Sequence, residues 1–204
     1  MKLYYKPGAC SLASHIILEE LKASFTLEMV DTIEQRTETG ADYREINPLG
    51  YVPALVLEDG TILIEGPAVL QHIGDQFPDS GLTAPFASIE RAEQNGMLNF
   101  LSSELHNAFG PFFTQTPPGS NEKKAHLNRI SRLVQFLENN LRDGREYLSG
   151  SSFTVSDAFA FVVLSWSTYV DLSLSDFPLI TAYMERLSKR PSVISAMTSE
   201  GLLD

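Results

Sequence analysis

The sequence predicts an α/β unit of βαβ and ββα type followed by an all-α unit, a helical bundle. Three observations lead there. Strand, helix and strand signals fall within the first thirty residues; two apolar runs, 54–57 and 62–64, flank an Asp59-Gly60 turn; and beyond Ser88 only helical periodicity recurs. A chain of 204 residues with 43% hydrophobic content suffices for one large core or two modest ones.

Leu3, Tyr4 and Tyr5 favour the first strand, which Lys6-Pro7-Gly8 ends. Leu12, Ile16, Ile17 and Leu21 then recur at helical spacing and place Cys10 at a helix N-terminus. Two readings of Cys10 stand. The unpaired backbone N–H groups at that end favour a thiolate and would draw its pKa from about 8.5 toward neutrality; alternatively, Cys10 is a small buried apolar side chain. Residues 24–30 alternate as a half-buried strand, which completes a βαβ unit with parallel strands. Residues 31–47 are polar and weakly patterned, an irregular connection with a short helix near 41–45. The Asp-Gly hairpin follows. Glu65-Gly66-Pro67 then opens a helix with Pro67 as its first residue, continued by Ala68, Val69, Ile73 and Phe77.

Pro, Gly, Ser and Thr collect from 78 to 88 and mark the boundary: a first domain at 1–80, a linker at 81–87 and a second domain at 88–204. Helices are expected over 89–109, 121–141, 156–170 and 178–189, with a short one from Pro191. Phe153-Thr154-Val155-Ser156-Asp157-Ala158 is a helix-start signal in which Thr154 caps and Asp157 is the box partner. The apolar run 158–164 behind it forms the central helix of the second core.

The formal charge of −11, without a Lys/Arg cluster, repels phosphate backbones and anionic lipid, so no nucleic acid and no membrane is expected as partner. No apolar run approaches the ~20 residues of a membrane span, and Met1 leads into a strand without a signal segment; the expected location is cytoplasmic. A single Cys forms no internal disulfide, so any redox chemistry is monothiol. His15, His72, His106 and His126 are dispersed without ligand spacing, and no metal is expected.

Three constellations could carry chemistry. Val52-Pro53 lies between a Gly loop and a buried strand, where an X-Pro bond is often cis and the Val52 backbone N–H and C=O are offered to an added peptide strand; otherwise Pro53 merely starts the strand. Glu65-Gly66 stands at a helix N-terminus and could hold both charges of an amino acid, or serve as an ordinary cap and turn. Asn99, Ser103 and His106 fall at i, i+4 and i+7, on one face of a helix. Those seven residues rise about 10.5 Å, which matches an extended tripeptide, though a solvated face would show the same pattern. His106 could donate a hydrogen bond to a thiolate or shuttle a proton.

The strand-loop-Cys-helix, Val-Pro, Asp-Gly hairpin, Glu-Gly and Thr-x-x-Asp box, in this order over nearly the whole chain, resemble the cytosolic glutathione transferases. Residues 2–13, Lys-Leu-Tyr-Tyr-Lys-Pro-Gly-Ala-Cys-Ser-Leu-Ala, together with Glu104-Leu105-His106, look like the bacterial beta class. The resemblance implies a thioredoxin-like first domain that binds glutathione as co-substrate, a helical domain that completes a pocket for a small hydrophobic electrophile, and a homodimer. It implies catalytic roles for Cys10 and His106. Glutathione contacts are implied at Cys10, Gln35, Val52, Glu65, Gly66, Asn99, Ser103, Glu104 and His106, some of the last four from a partner subunit. Tyr5 and Ser11 are possible accessories, because other classes activate the thiol with a Tyr or Ser at this end. Gln35 departs from the pattern, standing where the beta class carries Lys, which weakens the expected salt bridge to the glycine carboxylate. The electrophile pocket is expected to involve Ala9, Phe109, Phe113, Trp166 and Tyr169, the last two also readable as core. The implied activity is detoxifying conjugation or reduction of electrophiles, with thiol transfer or peroxide reduction through Cys10 as a second activity. The alternative is a catalytically weak glutathione- or ligand-binding scaffold of the same fold.

Overall fold

A computed structural model describes residues 1–203 of the chain, in two compact units: residues 1–83 with the chain from Ser188 onward, and Ala84–Leu187. The first unit contains β1 (Lys2–Tyr5), α1 (Ser11–Glu20), β2 (Thr26–Asp31), β3 (Arg36–Thr37), β4 (Ala54–Val56), β5 (Ile62–Ile64) and α2 (Gly66–Asp75). The strands form one sheet in the order β3-β2-β1-β4-β5. β1 and β2 are parallel, with Leu3 opposite Leu27, as the βαβ spacing predicts; β4 lies antiparallel on the other side of β1, with Leu3 opposite Leu55. This is the thioredoxin-like arrangement that the resemblance implies. The predicted hairpin pairs Ala54 with Ile64. Its turn is held by the Asp59 carboxylate accepting from the Thr61 N–H at 2.9 Å, and Gly60 takes the left-handed φ of 83° that a side chain would resist.

β3 is absent from the sequence expectation, which has an irregular connection there. The Asp31 Oδ1 accepts from the N–H groups of Ile33 and Glu34 at 2.8 and 3.0 Å, turning the chain so that Val30 faces Thr37. A two-residue strand is too short to show a period of two. The expected short helix is a 3₁₀ turn, Tyr43–Glu45, capped by the Asp42 side chain. Leu3, Leu12, Ile16, Ile17, Leu55, Val69, Leu70 and Ile73 are all buried and form the centre of this unit.

The second unit contains α3 (Ile89–Phe100), a π-helical turn (Leu101–His106), α4 (Asn107–Phe109), α5 (Ser120–Asn140), α6 (Val155–Ser165) and α7 (Pro178–Ser188). α6 is buried from Val155 to Leu164, which is why its sequence is apolar on every side. Its start is organised by Asp157. This fully buried carboxylate accepts from the Leu148 N–H at 2.8 Å, the Thr154 N–H at 2.8 Å, the Thr154 hydroxyl at 2.7 Å and the Tyr183 hydroxyl at 2.8 Å. The capping box therefore also ties in the preceding loop and a Tyr of α7. Glu138 of α5 likewise accepts from the N–H groups of Leu179 and Ile180, closing the start of α7 from a neighbouring helix. Among the described residues no helix is long and apolar enough to cross a membrane.

The last helix, α8 (Pro191–Ser199), belongs to the first unit and packs on α1, whereas the sequence boundary groups it with the helices before it. Glu20 of α1 accepts from Arg190 and from the Ser192 hydroxyl, and Glu19 accepts from the Ser195 hydroxyl at 2.9 Å. Glu200, just beyond α8, is buried as well.

Thr154→Ala is expected to cost about 1 kcal/mol, a typical cap loss. Asp157→Ala strands several buried donors and should cost about 3 kcal/mol. Urea midpoints of the two variants check the ranking, and equal losses would show that the carboxylate does no more than a simple cap.

Candidate active site

In the first unit, the loop that carries Cys10 is fixed on both flanks. The Ala9 N–H donates to the Lys6 carbonyl at 3.0 Å, and the Ser11 hydroxyl accepts from the Lys6 N–H at 3.2 Å. The Gly8 N–H donates to Glu200 Oε2 at 2.9 Å, while Glu200 Oε1 lies 2.9 Å from Nδ1 of the buried His15 on α1. Cys10 is the N-cap residue of α1, as expected. Its partly buried thiol donates to the Val52 carbonyl, Sγ to O 3.2 Å.

Of the two readings of Cys10, the low pKa is not found. Burial pushes the Cys10 thiol up from 9.0 to about 12; the backbone N–H groups of Cys10 and Ser11 pull it back only in part, and the Glu65 carboxylate adds to the rise. Desolvation outweighs the helix terminus. Ser11 is fully buried with its hydroxyl turned onto the Lys6 backbone. The Tyr5 ring lies beside His15, centroids 6.3 Å apart, and its hydroxyl is raised in pKa, first by burial and then by the Glu200 and Glu38 carboxylates.

The Val52-Pro53 peptide is cis, as the sequence suggests. The residue before it is held firmly, since the Tyr51 carbonyl accepts from the Tyr43 hydroxyl at 2.8 Å and from Asn47 Nδ2 at 2.7 Å. Val52 and Ala9 pack with Tyr4, Val30, Tyr43 and Ala54. Glu65 has a φ of 70° and ψ of 112°, a conformation that costs a non-glycine residue about 1–3 kcal/mol. Its carbonyl accepts the first helical bond from Val69 at 2.9 Å, its carboxylate side is exposed, and the next residue, Gly66, starts α2. A carboxylate and a helix N-terminus thus adjoin at a strained residue.

Gln35 also has a positive φ, 56°. Its amide nitrogen donates to the carbonyls of Thr32 at 2.6 Å and Gly50 at 3.2 Å, and a side chain at Gly50 would collide with it. This explains the glycine at position 50. The Gln35 amide joins two loops.

In the second unit, the π turn alters the expected stripe. One extra residue in the turn rotates everything beyond it by about 100° relative to a continuous α-helix. Asn99, Ser103 and Glu104 are exposed; the Ser103 hydroxyl donates to the Asn99 carbonyl at 2.8 Å, and Glu104 pairs with Arg129 at 3.1 Å. Asn107, which the sequence reading passes over, takes the next place on that face, donating to the Ser103 carbonyl at 2.8 Å. His106 is turned inward instead. Its ring centroid lies 5.0 Å from Trp166 and 6.1 Å from Phe159, and burial lowers its pKa, which favours the neutral imidazole at pH 7. Trp166, itself buried, also meets Phe109 and Phe113, at 5.9 and 5.3 Å. Tyr169 is two-thirds exposed.

A thioredoxin-like unit with a thiol at one helix start, a cis X-Pro turn and a strained second helix start, followed in the chain by a helical unit with a histidine in an aromatic cluster, defines a class of two-domain proteins, thioredoxin-like and then all-helical. The known proteins give that class its name. Residues 8–76 match the model of the glutathione S-transferase N-terminal domain, and residues 100–191 that of the C-terminal domain. Glutathione S-transferase GstA of Escherichia coli O157:H7 is 44% identical over 99% of this chain and all of its own. The bacterial beta class glutathione S-transferase of Sphingomonas chungbukensis matches with a TM-score of 0.95 at 41% identity over the full length of both chains. A sphingomonad glutathione S-transferase complexed with glutathione matches with a TM-score of 0.94 at 39% identity, again over both full lengths. The chain belongs to the glutathione S-transferase family.

With its thiol protonated, ligand-free Cys10 should react with iodoacetamide at a rate that climbs about tenfold per pH unit through neutrality and levels only toward about 12. The unfolded chain releases this proton near 9, so between 9 and 12 the folded state binds more protons and stability falls as pH rises. A rate plateau near pH 7 would restore the thiolate reading.

Proposed function

We propose that the protein conjugates glutathione to small hydrophobic electrophiles, with the first unit holding the tripeptide. The observation that carries this is the grouping of Cys10, the Val52 backbone and the Glu65-Gly66 helix start on the unit that matches the family's N-terminal domain. In this reading Val52 pairs its backbone with the cysteinyl residue. The Glu65 carboxylate accepts from the γ-glutamyl ammonium, and the Gly66 N–H donates to its carboxylate at the positive end of α2. Cys10 lies beside the glutathione sulfur. The relative solved with glutathione supports the ligand.

Gln35 supplies no cation to the glycine carboxylate, because it is neutral and its amide is held by Thr32 and Gly50. That end is held more weakly than the γ-glutamyl end. Among the second unit's residues, the resemblance assigns His106 the role of a hydrogen-bond donor through its neutral imidazole and assigns Asn99, Ser103 and Glu104 to the peptide, and of its aromatic residues the exposed Phe113 and Tyr169, not the buried Phe109 and Trp166, have apolar surface to offer an acceptor. The chemistry is activation of a thiol nucleophile and its positioning against an electrophile. We further infer a homodimer in the cytoplasm, to which the single free cysteine is suited.

The test is turnover by the purified protein with glutathione and a panel of aryl halides, epoxides, disulfides and hydroperoxides. Glu65→Ala should raise KM for glutathione about tenfold or more, as the loss of a charge-assisted contact predicts. His106→Phe, which keeps the aromatic packing, should lower kcat about 100-fold. No turnover with any acceptor, together with no retention on a glutathione resin, would overturn the assignment.

A further inference from the structure

We propose that Cys10 changes its hydrogen-bond partner when the peptide binds: its S–H is held by the Val52 carbonyl in the free protein and is released by a peptide N–H that takes that carbonyl. The inference rests on the pairing of the cysteinyl backbone with Val52 proposed above. It adds that peptide docking and thiol orientation are one event.

The acceptor is fixed. Val52 follows Tyr51, whose carbonyl is held by Tyr43 and Asn47, and precedes β4, where Ala54 pairs with Tyr4 in the centre of the sheet. The backbone of the donor is equally fixed, because Gly8, Ser11 and His15 tie both flanks of Cys10 to Glu200 and Lys6. What remains free is rotation about the Cys10 side-chain bonds, a matter of rotamers and not of backbone movement.

The competition for the carbonyl has a direction. A thiol is a weak donor, and a peptide N–H is a stronger one. An incoming peptide that pairs with the Val52 main chain would therefore displace the S–H from the carbonyl's preferred line of approach. Once released, the protonated thiol keeps a proton to donate, and a peptide sulfur in its thiolate form would accept it in a charge-assisted hydrogen bond. In the free protein the same proton is masked by the Val52 carbonyl at 3.2 Å.

The sequence makes this directly measurable, because the chain has one cysteine and hence one S–H stretching band in the infrared. The probe is γ-glutamyl-2-aminobutyryl-glycine, which keeps every peptide N–H of glutathione but carries a methyl group in place of the thiol. Cys10→Ala assigns the band by removing it. On saturation with the probe, followed in parallel by calorimetry, the band should move to higher wavenumber as the hydrogen bond to Val52 is lost. Saturable binding with an unmoved band would overturn the partner change and leave the glutathione assignment standing. Absence of any binding would overturn both.

Discussion

The geometry around Cys10 depends on one buried carboxylate. Glu200 accepts from the Gly8 N–H with one oxygen and faces His15 Nδ1 with the other, both at 2.9 Å, so a single side chain grips the chain two residues before the thiol and five residues after it. A carboxylate removed from water must find donors or lose its charge, which makes this contact obligatory for any packing that buries the end of α8. The neighbouring pairs of Glu19 and Glu20 with Ser195, Arg190 and Ser192 set the register of α8 on α1, and thereby where Glu200 arrives. The thiol loop is thus shaped from the far end of the sequence.

The same device recurs in the second unit. Asp157 and Glu138 are both buried, and each accepts from backbone N–H groups of a segment other than its own helix. Helix starts and loops that sequence propensity alone would leave loose are fixed by tertiary acceptors. Asp157 also shows why the Thr-x-x-Asp pattern was readable: two of its four bonds are local, to Thr154, and only those two carry a fixed spacing.

That distinction separates what the sequence disclosed from what it concealed. The Asp59-Gly60 hairpin, the βαβ start, the cap at Thr154 and the cis Val52-Pro53 turn follow from neighbours within a few residues, and all are present. Glu200 meets Gly8 across 192 positions, and no local pattern could announce it. The π turn was equally hidden, since Leu98, Leu101 and Leu105 read as an ordinary stripe; only the structure shows His106 turned onto Trp166 while Ser103 stays exposed. Gln35 was legible as a departure from a resemblance, but its role between Thr32 and Gly50 depended on knowing which glycine lay beneath it.

Cys10 is instructive because both effects invoked at its position are real and act in opposite directions. A helix N-terminus lowers a thiol pKa only as far as its partial charge and its N–H groups reach the sulfur, and those of Cys10 and Ser11 do act here. Packing against the Val52 turn removes the water that would solvate the anion, and the nearby Glu65 carboxylate opposes a second negative charge. The net result is a thiol that keeps its proton well above neutrality. Such a group is a poor nucleophile in its own right, but it is suited to stabilising another sulfur anion, because a thiolate needs a donor and a second thiolate would repel it. In the function proposed above, the two sulfurs would divide the labour: burial keeps the proton on the one built into the protein, which leaves the nucleophile's part to the one carried in by the peptide.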